Sequence, residues 1–234
     1  MSIVIAFLGV VAAIAAWWLS QQRLMAKPWL EPGSVAAFPG TESGPTPAAK
    51  IGLGVFLAVV GCLFSLFASA YFMRMGFPDW RALPLPGTLW LNTGILVLSS
   101  IALQCAVMAS RNGQSDLVKL ALVTGGLTAL AFLAGQIVVW RQLVTEGYFL
   151  AGNPANSFFY LITAMHGLHI LGGLAALGRT SVFAWRNIPR GRLTLSVELC
   201  AIYWHFLLFV WLAIFVVLAG WAASFIEICR QLLT

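Results

Sequence analysis

Six stretches of this chain are long runs of apolar residues, each bounded by charged, Pro-rich or Gly-rich segments. They cover residues 2–21, 51–73, 87–110, 118–140, 156–183 and 195–226. About 20 apolar residues in a helix cross the roughly 30 Å hydrocarbon layer of a bilayer, so each run predicts a transmembrane α-helix. The last is long enough to tilt or to project beyond the membrane. The first is read as a span and not as a secretory leader, because no Lys or Arg precedes Arg23 and a leader begins with positive charge. The pattern predicts an all-α membrane protein with six transmembrane helices. These are an N-terminal helix over 1–22, a Pro/Gly-rich linker over 23–50, a five-helix bundle over 51–226 and a tail over 227–234. The linker holds Pro28, Pro32, Pro39, Pro45 and Pro47 with Gly33, Gly40 and Gly44, a density that breaks regular structure.

Composition agrees. Of 234 residues, 61% are hydrophobic and 9% charged, and the mean hydropathy is +0.93. Soluble domains carry about a quarter charged residues, so disorder, a disulfide scaffold and an ordinary cytosolic enzyme are excluded. The net charge of +6 is scattered over loops without a basic stripe, which argues against nucleic acid. In a membrane protein such charges set orientation. Arg23, Lys27, Lys50, Arg111, Lys119, Arg179, Arg186, Arg190 and Arg192 follow the odd-numbered spans, against Arg74, Arg81, Arg141 and Arg230 on the other side. The odd loops are therefore expected in the cytoplasm and both termini outside. Trp17, Trp18, Trp29, Trp80, Trp90, Trp140 and Trp185 fall near span ends, as interfacial anchors do. Cys62, Cys105, Cys200 and Cys229 share no CxxC spacing and read as small hydrophobes. Gly54/Ala58, Gly125/Ala129 and Gly172/Ala176 are small pairs four apart, which favour close helix packing.

Few polar side chains interrupt the spans, and in hydrocarbon these are the best pointers to function. They are Asn92, Gln104, Gln136, Glu198 and the three histidines His166, His169 and His205. His166 and His169 share one helix face, and Glu198 and His205, two turns apart, share another. Antiparallel packing of the last two spans would gather a carboxylate and three imidazoles. That set suits a metal, but a hydrogen-bonded network between helices is the favoured reading, and no metal site is assigned. A serine-protease GxSG turn, a GxGxxG loop, a Walker sequence and paired carboxylates are all absent from the sequence, so the chain by itself reads as non-catalytic.

The fifth and sixth spans carry a resemblance. Ser157 to Gly173 (SFFYLITAMHGLHILGG), with Gly167 between the histidines and Gly172 and Gly173 at its end, resembles the FF-x-x-TG-x-HG-x-H-x-x-x-G motif of haem–copper oxidase subunit III. Tyr203-Trp204-His205-Phe206 followed by Trp211 is similar to that family's YWHF helix. Pro86, Leu91-Asn92-Thr93 and Ser99-Ser100 resemble its P…NT…S helix, and Gln136 stands where the family has a glutamine. The resemblance covers about 50–226. Departures stand at Val60, Val139 and Leu208, where the family pattern has carboxylates.

The resemblance implies a non-redox subunit III of a bacterial respiratory oxidase using cytochrome c or quinol. It would bind no haem, copper or other metal itself, since subunit I carries them, with subunit II as a further partner and phospholipid in a cleft. It would sit in the cytoplasmic (inner) membrane, stabilise the catalytic subunit and support proton uptake. Two other readings stay open: an accessory subunit of nitric oxide reductase, and a small transporter using the His/Glu patch.

Overall fold

The computed structural model describes residues 48–186 and 189–220. The expected first helix, most of the linker, the C-terminal tail and Cys229 lie outside them. Five helices are described: α1 (Ala48–Met75), α2 (Thr88–Arg111), α3 (Ser115–Thr145), α4 (Pro154–Trp185) and α5 (Arg190–Leu218). Each is long and apolar enough to cross a membrane. In hydrocarbon every backbone N–H and C=O must find its partner within the segment, which a helix alone does for a single apolar run. The shortest, α2, has 24 residues, about 36 Å at 1.5 Å per residue.

Helix ends are set by local chemistry. The α2–α3 and α3–α4 connections begin with the same C-terminal wrap. Gly113 at φ 73° and Gly147 at φ 88° occupy the left-handed region that favours glycine. The following amides of Gln114 and Tyr148 turn back to Ala109 and Leu143 carbonyls at 3.0 and 2.9 Å. At the start of α4, Asn153 accepts from the Ala155 amide at 3.3 Å and Pro154 occupies the first turn, a pre-organised N-terminus. The same Asn153 side chain bonds both backbone groups of Arg81, fastening the α1–α2 loop to α4. The sixth apolar run was expected to continue to 226. The described helix runs to Leu218, where Gly220 turns to φ 74°, and residues 221–226 of that run lie outside the described residues.

Helices α2, α3, α4 and α5 pack in a ring, each against its two neighbours, while α1 lies outside against α4 and α5. Phe132, Phe159, Trp204, Trp211, Leu96 and Leu103 fill the ring. Outward positions such as Val59, Leu66, Leu120 and Phe209 are large, apolar and exposed, as a lipid-facing surface requires. Lipid tails are as apolar as these side chains, so close contact and hydrogen bonds hold the helices together. Of the small pairs, Gly125 and Ala129 are buried, with Leu103 and the Ser99 carbonyl close to Gly125. Gly172 and Ala176 are exposed instead, and the packing glycine is Gly173.

Candidate functional site

One face of α2 presents hydroxyls and an amide to the ring interior: Asn92, Thr93, Ser99 and Ser100, all buried. Each engages another helix or its own backbone. Asn92 donates to Gln136 Oε1 of α3 at 3.3 Å. The Trp211 indole of α5 donates to Thr93 Oγ1 at 3.0 Å, and the Trp204 indole to Ser99 Oγ at 2.9 Å. Ser99 passes its own proton to the Gly125 carbonyl of α3 at 2.8 Å, so one hydroxyl links three helices. Across the ring, the Trp140 indole donates to Thr163 of α4 at 3.1 Å. Buried polar groups are costly unless bonded, and these bonds fix the rotation of each helix.

The four ionisable residues expected to converge do not. His166 is 0% exposed and stacks among Phe132, Trp211 and Phe64, with both ring nitrogens lacking a hydrogen-bond partner among the described residues. His169 turns towards α1, where Phe64 lies 5.5 Å away between ring centroids, and its Nδ1 pairs with the Met165 carbonyl at 2.7 Å. His205 leaves both, and bonds Ser100 and Gln104 of α2. Glu198 lies at a helix-end layer, where Lys50 of α1 and Arg111 of α2 each meet one carboxylate oxygen at 2.8 Å. Helical geometry explains the correction. A three-residue step turns about 300°, separating His166 from His169 by some 60°, and a seven-residue step puts His205 about 10 Å along the axis from Glu198. A shared face is not a shared site. No three His, Cys, Asp or Glu side chains gather as a metal site among the described residues.

The motif residues make a second cluster. Tyr203 of α5 donates to the His169 carbonyl at 2.8 Å, and the Tyr203 and Trp204 rings crowd Gly173. Phe206 covers Gly61 of α1, and Leu133 approaches Gly167. The sequence reading missed the indole acceptors Thr93, Ser99 and Thr163. A signal existed, since Asn92 and Ser99, and likewise Thr93 and Ser100, lie two turns apart in a mostly apolar run.

The arrangement is thus an interlocked bundle whose motif residues serve packing. The family model described as cytochrome c oxidase subunit III matches residues 49–223. The chain belongs to the cytochrome c oxidase subunit III family. Among curated relatives, the probable cytochrome c oxidase subunit 3 of Mycobacterium bovis is 34% identical over 130 residues, 54% of this chain and 62% of the relative. The match therefore spans about three fifths of that relative's length. Cytochrome c oxidase subunit 3 of Synechocystis sp. is 32% identical over 178 residues, covering 70% of this chain and 72% of its own. The cytochrome bo(3) ubiquinol oxidase subunit 3 of Pseudomonas aeruginosa is 26% identical over 126 residues, 54% of this chain and 60% of its own.

This subunit III family member is a multi-pass membrane protein by its five long apolar helices. At the positions where its sequence departs from the family pattern, Val60 is buried beside Phe64, Ile162, Val210 and Ile214. Val139 is buried in the main core and Leu208 packs against it. Outside the spans, Asp79 pairs with Arg74, and that hydrogen bond holds the Asp79 carboxyl below its ordinary value.

Proposed function

We propose that the chain is the non-redox subunit III of a bacterial respiratory haem–copper terminal oxidase. In this reading it stabilises the catalytic subunit and supports proton uptake during oxygen reduction. The family match over 49–223 carries the reading. The three imidazoles point into three different surroundings and do not gather with a carboxylate or thiol into a ligand set among the described residues, which supports placing haems and copper in a partner, subunit I, with subunit II as a further companion. With apolar residues at Val60, Val139 and Leu208, its contribution to proton uptake comes through holding the catalytic subunit in place and not through a relay of its own.

The helix ends bearing Lys50, Arg111, Lys119, Arg179, Arg186, Arg190 and Arg192 face the cytoplasm by the positive-inside rule, which puts both termini in the periplasm of the inner membrane. At that end a cleft of roughly 450 Å³ is lined by Ser110, Arg111, Arg190, Thr194 and Glu198. Its two guanidinium groups suit a phospholipid headgroup.

The test is purification in gentle detergent through a tag on this chain, with a reduced-minus-oxidised spectrum and mass spectrometry. Haem bands and a large histidine-rich partner are expected, and the bands identify the haem type. A colourless eluate holding this chain alone, still folded, would overturn the reading and direct attention to transport and a metal assay.

A further inference from the structure

The outer surface shared by α2 and α5 carries polar groups where only lipid tails would otherwise lie. Ser100 is hydrogen-bonded to Nδ1 of His205, and Nε2 of His205 to Oε1 of Gln104 at 3.0 Å. With the Ser100 hydroxyl donating to Nδ1, the neutral ring donates onward from Nε2 to the Gln104 oxygen. The series runs outward and ends on the Gln104 carboxamide N–H groups, which meet no acceptor among the described residues. Both His205 and Gln104 are exposed.

Depth makes this exposure significant. Gln104 lies seven residues before Arg111, and His205 seven residues after Glu198, so each is about 10 Å inside the charged layer formed by Arg111, Lys50 and Glu198. At that depth no water replaces a missing partner. The surrounding residues form a seam. On α2, Gly94, Ile101, Gln104 and Met108 recur at seven-, three- and four-residue steps. On α5, Ile202, His205, Phe209 and Leu212 recur at three, four and three, and all eight are exposed. This is the spacing with which one helix receives another. At Gly94 a Cβ would stand in open space, so a second backbone can approach closely.

We propose that this face docks a transmembrane helix from another chain of the assembly, one that offers a hydrogen-bond acceptor to Gln104. The proposal rests on the subunit reading above. Hydrogen-bond complementarity selects the occupant. Residues 3–16, the core of the chain's remaining long apolar run, hold no hydrogen-bonding side chain. A second copy would bring the same carboxamide donors and only the remaining lone pair of an oxygen already bonded to His205, a poorer match than a free acceptor. Lipid tails offer no acceptor at this depth.

The test installs a photoreactive benzoylphenylalanine at position 104 in the full complex in native membranes, with position 127 on the exposed outer side of α3 as control. The adduct from 104 is expected on a transmembrane segment of another chain, within one turn of an Asn, Gln, Ser, Thr, His, Asp or Glu, and position 127 is expected to label lipid. In parallel, Gln104→Leu is expected to lower retention of this subunit through a detergent wash about five-fold, the scale of one interhelical hydrogen bond, while Leu127→Ala leaves it unchanged. Adducts at 104 confined to lipid, to residues 2–21 or to a second copy overturn the docking face, as does full retention of Gln104→Leu. Either result in a haem-containing preparation leaves the subunit reading standing, whereas a preparation without a haem partner overturns that reading itself.

Discussion

Gly172 and Gly173 are neighbours on α4, and adding one methyl to each should have opposite effects. At Gly173 a Cβ would stand 2.6 Å from Cε1 of Tyr203 and 2.7 Å from Cζ3 of Trp204, well inside van der Waals contact. Neither ring can step aside cheaply. The Tyr203 hydroxyl is tied to the His169 carbonyl, and the Trp204 indole is tied to Ser99, which is itself bonded to Gly125. Overpacking of this kind costs about 1–3 kcal/mol, offset by about 0.5–1 kcal/mol of helix preference for Ala over Gly. Gly172 has no such neighbour within 4 Å, so Gly172→Ala keeps only the favourable part. The two variants should differ by roughly 1–3 kcal/mol, the size of the overpacking cost. For a chain of this size that is about 2–12 °C in unfolding temperature. Scanning fluorimetry of the detergent-solubilised assembly, with quantitation of bound subunit after heating, reads the difference. Equal midpoints for the two variants, or a Gly173→Ala midpoint at or above that of the unmodified protein, would refute the claim that Gly173 is where α4 and α5 lock.

Other outcomes follow from the polar contacts. Asn92→Leu strands the Gln136 carboxamide and should destabilise by about 1–3 kcal/mol, with Asn92→Leu/Gln136→Leu recovering part of the loss; additive losses in a double-mutant cycle would dissolve the pair. Glu198→Gln removes the charge shared by Lys50 and Arg111, and should cost about 1 kcal/mol at low salt, less at high salt. A salt-independent deficit in a thermal melt would place that carboxylate's role elsewhere. Because the hydrogen bond from Arg74 lowers the Asp79 carboxyl below its ordinary 3.8, its contribution is present above that value and is lost as pH falls through the lower folded one. Asp79→Asn should therefore flatten the acid limb of the stability profile below about pH 4, as followed by limited proteolysis of the α1–α2 loop, and leave the neutral range unaffected by pH.

The sequence alone determined that the protein is helical and membrane-embedded, since a run of some 20 apolar residues in hydrocarbon has no other way to pair its backbone. It also placed the described helices to within about five residues at the ends that can be compared. At the end of α5 a single glycine at positive φ, Gly220, follows the last helical residue, Leu218. Family membership was legible too, because motifs such as HGLH and YWHF are written in consecutive residues. The assignment of side chains to partners was decided by tertiary structure. Spacing puts His166, His169, Glu198 and His205 on two faces, but does not say which way each face turns or how far the residues stand apart along the axis. Packing sent His166 into an aromatic box, His169 towards α1, His205 outward to Gln104, and Glu198 to the cations of two other helices. For the same reason the four-residue spacing pointed to Gly172 with Ala176, and only the approach of Tyr203 and Trp204 made Gly173 the packing glycine: helix periodicity is a property of one segment, whereas contact is a property of two.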